Sequence, residues 1–240
     1  MLSPARRHAI AFAARKAAGL PGHARESGPA GDEYRLQLMA LGEDLRRLSN
    51  IQSLERKIAA KREMLPAFLP WVEAALAADV PAQDEVVTTM LVWAIDVADW
   101  PLALRLARHV LAGRLTLPER YRRTPATLIA EEVAEAGLAP NPAIDLATLT
   151  AADALTAEAD MPDEVRAKLQ KAIGLAYRAR LEAFDPDTDG AMAGGKPAMI
   201  ATAIAHLTRA LELDAKCGVK KLIEQLTREA KKATEAPPPP

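Results

Sequence analysis

The residues of this chain that most resemble a ligand site lie between Asp185 and Lys196, in the sequence DPDTDGAMAGGK. Asp185, Asp187, Asp189 and Gly190 have the spacing of the first half of an EF-hand loop, in which oxygens surround calcium and the glycine permits a sharp turn. The twelfth position of such a loop is a glutamate that binds calcium with two oxygens, but here it is Lys196, whose charge repels the ion. The loop therefore lacks the ligand on which a calcium site depends.

The same residues also approximate a phosphate-binding P-loop, with Gly190, Gly195 and Lys196 at the required spacing. Pro197 stands where a P-loop has the hydroxyl that binds magnesium, and no strand is predicted in front of it. Because each match lacks its decisive ligand, we interpret the stretch as a solvated loop between helices. We expect no metal site and no cofactor.

The histidines and the paired carboxylates do not form a recognisable catalytic arrangement. The histidines are far apart and none has a partner four residues away, as a zinc-binding helix would require: His8, His23, His109 and His206. The acidic pairs fall at or near predicted helix starts, where they complement the helix dipole: Asp84–Glu85, Glu131–Glu132 and Asp163–Glu164. A two-metal nuclease needs carboxylates that converge from separate elements, which a sequence leaves open. From the residues alone we assign no catalytic residue.

Two clusters of basic residues are candidates for contact with nucleic acid. The first lies in a segment with no acidic residue before Glu26 and consists of Arg6, Arg7, Arg15, Lys16 and Arg25. The second lies after the central helices and consists of Arg114, Arg120, Arg122 and Arg123. Both could bind phosphates through contacts that depend on salt and little on base sequence. The alternatives are ordinary solvated helix faces and, for the second cluster, acidic residues of a neighbouring subunit.

The composition predicts an all-α protein. Half of the 240 residues are hydrophobic, only 4% are aromatic, and no stretch shows the sustained alternation of a strand. Residues 1 to 64 hold 12 Lys and Arg against 7 Asp and Glu, whereas residues 65 to 240 hold 19 against 25, which suggests separate partners for the two parts. Cys217 is the only cysteine, so no internal disulfide forms, and no segment has the roughly 20 apolar residues that cross a bilayer.

The candidate residues must be positioned by helices and by the links between them. Ser3 and Pro4 begin a basic helix over residues 4 to 18, and a glycine-rich linker follows over residues 19 to 31. The next helix, over about residues 33 to 64, is predicted to be the longest. Its apolar residues have the spacing of a coiled-coil seam, slip by one after Leu48, and fit a partner helix: Tyr34, Leu38, Leu41, Leu45, Leu48, Ile51, Leu54 and Ile58.

The centre of the chain is predicted to be an antiparallel helix pair, over residues 83 to 98 and 102 to 112. Pro101 suits the first turn of the second helix and cannot continue the first. Near the end, small residues such as Gly174, Ala203 and Ala210 are typical of a TPR-like helical hairpin. The sequence thus divides into a basic segment with a linker (1–32), an oligomerisation helix (33–64), a helical core (65–139), a TPR-like region (140–233) and a Pro-rich tail (234–240).

Several stretches, spread over most of the chain, carry a more specific resemblance. They are the opening MLSPARRH, KREMLPAFLPWVEAAL, the Trp-x-x-Asp hairpin, LTLPERYRRTP with the following EEVA, ADMPDEVRAKLQKAIGL at 159 to 175, and HLTRALELDAKCGVKKLIEQL at 206 to 226. Together they resemble the small terminase subunit of Peduovirus-type tailed phages, the partner of a large ATPase subunit in DNA packaging. No catalytic motif is among them.

The resemblance implies a non-catalytic subunit that binds phage DNA at the packaging site as a homo-oligomeric ring and recruits or regulates the large subunit. It implies the cytoplasm of a bacterial host as the place of action, with no membrane partner. Members of the family are sometimes described as the endonuclease subunit of the terminase, so a metal-dependent nuclease is one alternative. A TPR-like adaptor that binds proteins and not DNA is the other.

Overall fold

In the computed structural model, the described residues are 3–18, 28–78, 81–184 and 195–235. These residues form eleven α-helices and one 3-10 turn, with no strand among them, so the prediction of an all-α protein is confirmed. The chain divides into two compact units, Met1–Pro125 and Ala126–Pro240. This boundary falls at the first residue of the seventh helix, whereas the sequence grouped that helix with the segment before it.

The first unit is built around buried aromatic residues. Its helices are α1 (Pro4–Ala18), α2 (Gly28–Ser49), α3 (Leu54–Met64), α4 (Leu69–Leu76), α5 (Glu85–Asp96) and α6 (Trp100–Ala112), with the 3-10 turn Leu65–Ala67 between α3 and α4. α1 packs against α4 and α2, and α5 packs against α6. Phe68, Trp71 and Trp93 are each no more than 2% exposed, and the rings of Phe68 and Trp93 meet edge to face at 5.9 Å. Such a pair adds directional packing to the hydrophobic burial.

The predicted single helix over residues 33 to 64 is wrong, because the structure has two helices, α2 and α3, separated by residues 50–53. Ser53 caps α3 by accepting a hydrogen bond from the backbone N–H of Arg56, at 3.3 Å. In a continuous helix, a backbone carbonyl would accept from that N–H instead. One long helix and two helices with a capped break therefore both satisfy the backbone, and the apolar spacing alone does not distinguish them. α2 also begins at Gly28, inside the predicted linker.

The residues of the predicted seam do not form one continuous exposed stripe. Leu41 and Leu48 are 1% and 6% exposed, and Tyr34 stacks on Trp71 with ring centroids 5.5 Å apart. Leu54 lies beyond the break and is 71% exposed. The remaining members of the seam are half-buried: Leu38, Leu45, Ile51 and Ile58. The seam is therefore largely used inside its own unit, and its part in oligomerisation stays a prediction.

The predicted central hairpin is present as α5 and α6. Asp99 begins α6 by accepting a hydrogen bond from the N–H of Leu102 at 3.2 Å, and Pro101 lies in the first turn as expected. Every residue from Val86 to Ile95 is buried, so α5 is the central helix of the unit.

Both helices of the hairpin end with a residue other than glycine in the left-handed region. Ala98 has φ 58° and Arg114 has φ 50°. In each case the N–H of the next residue donates to the carbonyl five residues before it, at 2.8 and 2.9 Å, which is the pattern of a Schellman motif. Gly113 is a glycine for a different reason, because an added Cβ would lie 2.5 Å from the Cβ of Pro81.

A buried carboxylate joins two helices of the first unit, and a neighbouring tyrosine adds a third. Asp84 is 2% exposed, and it accepts hydrogen bonds from the backbone N–H of Val87 at 3.1 Å and from the indole N–H of Trp71 at 2.9 Å. Tyr34 lies beside this contact: its ring stacks on Trp71, and its hydroxyl accepts the N–H of Glu85 at 3.1 Å. Asp84 therefore links α4 to α5, and Tyr34 links α2 to both helices beside it.

The second unit is organised around the close packing of its two longest helices. Its helices are α7 (Pro125–Leu138), α8 (Leu146–Thr156), α9 (Asp163–Glu182), α10 (Gly195–Leu213) and α11 (Lys220–Glu235). A Cβ added at Gly174 of α9 would lie 2.6 Å from the Cγ of Leu207 in α10, so glycine permits this approach. Ala203 and Ala210 are buried beside it. The small residues thus serve helix packing, and the TPR-like repeat stays a prediction.

We expect Asp84→Ala to destabilise the first unit by about 2–4 kcal/mol, because it removes a helix cap and leaves a buried indole N–H without its acceptor. Asp99→Ala, which removes an exposed cap alone, is the matched control and should cost about 1 kcal/mol. Urea unfolding followed by tryptophan fluorescence measures both, since all three tryptophans lie in Met1–Pro125. Equal losses of stability in the two variants would contradict the joining role of Asp84.

Candidate nucleic-acid interface

The first predicted basic cluster lies on α1, and its two leading arginines have different environments. Both terminal amino groups of Arg6 contact the carboxylate of Glu33, at 2.9 and 3.0 Å, and the Glu33 side chain is only 9% exposed. Gln37 donates a further hydrogen bond to Glu33 at 2.8 Å. Arg6 therefore ties α1 to α2, which limits its freedom to contact a ligand.

The other members of that cluster are more accessible. Arg7 and Lys16 are exposed, and neither has a side-chain partner within the described ranges. Arg25 and the side chain of Arg15 lie outside the described residues. Phe12 on the same helix is 65% exposed, while Ile10 is 2% exposed. α1 thus buries one apolar face and presents charge and one aromatic ring on the rest of its surface.

The second predicted cluster lies on the connector between α6 and α7. Arg120 donates to Glu85 at 2.9 Å and to the hydroxyl of Thr89 at 2.6 Å, and its guanidinium lies 5.1 Å from the ring centroid of Tyr121. Arg120 is therefore part of the structure that holds the connector. The other three arginines of the cluster are exposed: Arg114, Arg122 and Arg123.

The connector is held rigidly at its other end as well. The side-chain amide of Gln83 donates to the carbonyl of Thr116 at 2.9 Å and accepts the N–H of the same residue at 2.8 Å. A pocket of about 540 Å³ lies beside this contact, and Tyr34, Glu85 and Arg120 are among the residues that line it. The exposed arginines thus project from a segment that hydrogen bonds hold in place. Less conformational entropy of the backbone is then lost when they bind a phosphate.

Sequence reasoning missed a further set of basic residues, all exposed except the half-buried Lys57. Arg105 and Arg108 lie on α6 beside a pocket of about 400 Å³, where Arg105 binds Glu73 through two hydrogen bonds of 2.9 and 2.5 Å. These bonds lower the pKa of Glu73 below its ordinary value. Arg46, Arg56 and Lys57 lie where α2 and α3 meet. A count of charge in short windows would have found the last group, since residues 46–62 hold six Lys and Arg and one acidic residue.

The residues considered for metal or acid–base chemistry are placed apart. No group of three or more His, Cys, Asp or Glu in the described part of the chain is arranged to hold a metal ion. Residues 185–194 of the calcium-like and P-loop-like stretch lie outside the described residues, as does His23. His8 is exposed, whereas His109 is half-buried.

His206 has a structural environment. Its Nδ1 lies 2.6 Å from the side-chain oxygen of Gln170, and the side-chain amide nitrogen of Gln170 donates to Asp153 at 2.7 Å. The imidazole stacks on Tyr177, and burial lowers its pKa. The chain of contacts joins α8, α9 and α10, so His206 serves the packing of the second unit.

Two of the three acidic pairs lie at helix starts as predicted, but the prediction is wrong for Glu131–Glu132, which lie in the middle of α7. Asp84 is the buried cap of α5, whereas Asp163 and Glu164 lie exposed in the first turn of α9. Glu131 of α7 is buried and lies 3.8 Å from Lys168. None of the helices in the described ranges is both long and apolar enough to span a bilayer.

Comparison with known proteins assigns this helical chain to a family. Residues 38–164 match the model of the phage small terminase subunit family. The chain belongs to that family, as its resemblance predicted. It is also similar to the terminase endonuclease subunit of Escherichia phage P2, with 42% identity over 243 residues that cover 99% of this chain and 90% of that protein. No solved structure matches the chain.

We expect Arg6→Ala to loosen α1, because it leaves the largely buried Glu33 without its cation, and Arg7→Ala to leave α1 unchanged. Arg6 is itself 42% exposed, so solvent screening limits the loss to about 1 kcal/mol, or roughly a fivefold faster amide hydrogen exchange in α1. Hydrogen exchange followed by mass spectrometry checks both variants. Similar exchange in the two would mean that the ion pair does not hold α1.

Proposed function

We propose that this chain is the small subunit of a phage DNA-packaging terminase, which binds the cohesive-end packaging site and recruits or regulates the large ATPase and nuclease subunit. The supporting observation is family membership combined with 42% identity to a phage terminase subunit along nearly the whole chain. The role places the protein in the cytoplasm of the bacterial host.

The DNA contact is proposed for the exposed members of the two basic clusters. Arg7 and Lys16 on α1 and Arg122 on the connector have no side-chain partner among the described residues, so their charge is available to phosphates. Arg6 and Arg120 support these surfaces through Glu33 and Glu85. Phosphate contacts supply affinity and orientation and release counterions, so the binding falls steeply with salt.

Assembly into a ring would multiply these weak contacts. Linked subunits present many copies of the same cationic surface, and each later contact benefits from a high effective concentration. We assign the subunit contact to the exposed face of α2, where Leu36 and Met39 are 49% and 64% exposed. These residues replace the buried Leu41 and Leu48 as the core of the proposed interface.

The second unit is proposed to bind the large subunit. The relative from phage P2 is named an endonuclease subunit of the terminase, and that name leaves open which chain cuts DNA. We assign ATP hydrolysis and strand cleavage to the large subunit. If this chain is itself the nuclease, the purified chain should cleave cohesive-end DNA in the presence of magnesium. If it is a protein-binding adaptor, it should not bind DNA.

DNA binding is tested by fluorescence anisotropy with a cohesive-end duplex of the cognate phage genome and a scrambled duplex, over a salt series. The double variant Arg7→Ala/Lys16→Ala should bind more weakly, and its salt slope should fall by about 0.9 for each phosphate that is no longer neutralised. Lys220→Ala/Lys221→Ala in α11 removes the same charge from the second unit and should leave the slope unchanged. Absence of binding to either duplex at low salt would favour the adaptor.

The subunit contact is tested by light-scattering mass. Leu36→Glu/Met39→Glu should lower the mass, because two charges would enter an interface that buries apolar area, and the helix content by circular dichroism should not change. Leu54→Glu, which alters a leucine beyond the break after α2, is the control and should keep the mass of the wild type. An unchanged mass for the α2 variant would remove this face from the interface.

A further inference from the structure

The junction of α2 and α3 carries a large share of the positive charge of the first unit. Residues 46–62 include six Lys and Arg, which is half of the 12 in residues 1 to 64, and one acidic residue, Glu55. Three of the six are used within the fold: Arg47 lies 3.7 Å from Glu63, Lys61 binds Asp96, and Arg62 donates to the carbonyl of Val97. The other three have no side-chain partner in the described ranges: Arg46, Arg56 and Lys57.

α3 is anchored at one end and accessible at the other. Ala60 and Met64 near its C-terminal end are 6% exposed, and the bonds of Lys61 and Arg62 attach the same end to the end of α5. At the opposite end, Leu54 is 71% exposed. The C-terminal end of α3 is therefore fixed to the unit, and its first turn is exposed to solvent.

The accessible turn combines side chains of several chemical kinds. We call Gln52, Leu54, Glu55, Arg56 and Lys57 the α3 tip. All are exposed except Lys57, which is half-buried. Gln52 lies in the break just before α3, and the other four form its first turn, so the tip offers an amide, an apolar group, a carboxylate and two cations.

These side chains can bind the hydrogen-bonding and apolar groups that base pairs present in the major groove of duplex DNA. Arginine can bind the O6 and N7 of guanine with two hydrogen bonds, glutamine can bind adenine, and glutamate can accept from the amino group of cytosine. An exposed leucine can contact the methyl group of thymine, and lysine can bind a phosphate. A helix with side chains is about 10–12 Å wide, and the groove is about 12 Å wide.

The main competing occupant is an acidic protein surface, which the charge of Arg46, Arg56 and Lys57 would also attract. Glu55 lies exposed in the middle of the same turn, where carboxylates of a protein and phosphates of DNA would both repel it at close range. A base edge offers both donors and acceptors, so it can satisfy Glu55 and Gln52 as well as the cations. The mixture of charge signs favours base edges.

We propose that the α3 tip reads base sequence in the major groove of the packaging-site duplex, with Arg46 on the adjacent phosphates. This inference rests on the proposed function and adds to it, because the clusters on α1 and the connector supply phosphate contacts that are blind to sequence. The tip supplies the discrimination between the packaging site and other DNA.

The test compares full-length variants for binding to the cohesive-end duplex and to the scrambled duplex at one salt concentration. Arg56→Lys keeps the positive charge but removes the two-pronged hydrogen bonding to guanine. It should lower the affinity for the cohesive-end duplex by about 5- to 150-fold and change that for the scrambled duplex by less than about twofold. Gln52→Ala should do the same, whereas Lys57→Ala should weaken both duplexes alike.

Arg108→Lys is the matched control, because Arg108 is an exposed arginine of the same unit with no side-chain partner among the described residues. It should leave both affinities unchanged. The light-scattering mass and the tryptophan unfolding midpoint should equal those of the wild type in every variant, and a lower mass in Arg56→Lys would overturn the proposal by making the tip a subunit contact.

The remaining outcomes separate this inference from the proposed function. If Arg56→Lys and Gln52→Ala keep the wild-type preference for the cohesive-end duplex, the tip does not read sequence, although the DNA-binding role stands. If they instead abolish binding to the purified large subunit, the tip is a protein contact. If the wild type binds neither duplex, both proposals fall.

Discussion

The arrangement of the helices in the first unit depends on the hydrogen bonds of the buried Asp84 carboxylate. A charge that is 2% exposed is stable only when its oxygens are satisfied, and here a backbone N–H and an indole N–H satisfy them. Because the next residue, Glu85, binds both the hydroxyl of Tyr34 and the guanidinium of Arg120, the same point also positions α2 and the basic connector. The placement of the exposed cations thus follows from a contact in the core.

Local signals allowed much of the fold to be predicted. The caps and first-turn prolines of these helices interact only with residues a few positions away: Ser3, Pro4, Asp99 and Pro101. For this reason α1 and the hairpin of α5 and α6 could be derived from the sequence. The break between α2 and α3 could not, because the apolar spacing continues through Ile51 and the capping signal is a single serine. Tertiary contacts of both helices decide the break.

The candidate site was less predictable, for an identifiable reason. A sequence shows where cations are but not which acidic residues they meet. Arg6 and Glu33 are 27 residues apart and Arg120 and Glu85 are 35 apart, so neither pair has a local signature. The exposed residues of the same clusters, such as Arg7 and Arg122, could be named in advance but not separated from their paired neighbours. The unpaired cations at the start of α3 became recognisable only when that helix proved to be separate from α2.

The left-handed residues that end α5 and α6 have a consequence for engineering. Ala98 and Arg114 adopt a backbone conformation that costs a residue with a side chain about 1–2 kcal/mol. Glycine at position 98 would therefore fit the backbone and raise the stability without disturbing a buried contact, whereas Arg114 belongs to a proposed DNA-binding cluster and should be kept. A more heat-resistant form of the protein, suited to long imaging or crystallisation of its complexes, is accessible without touching the core.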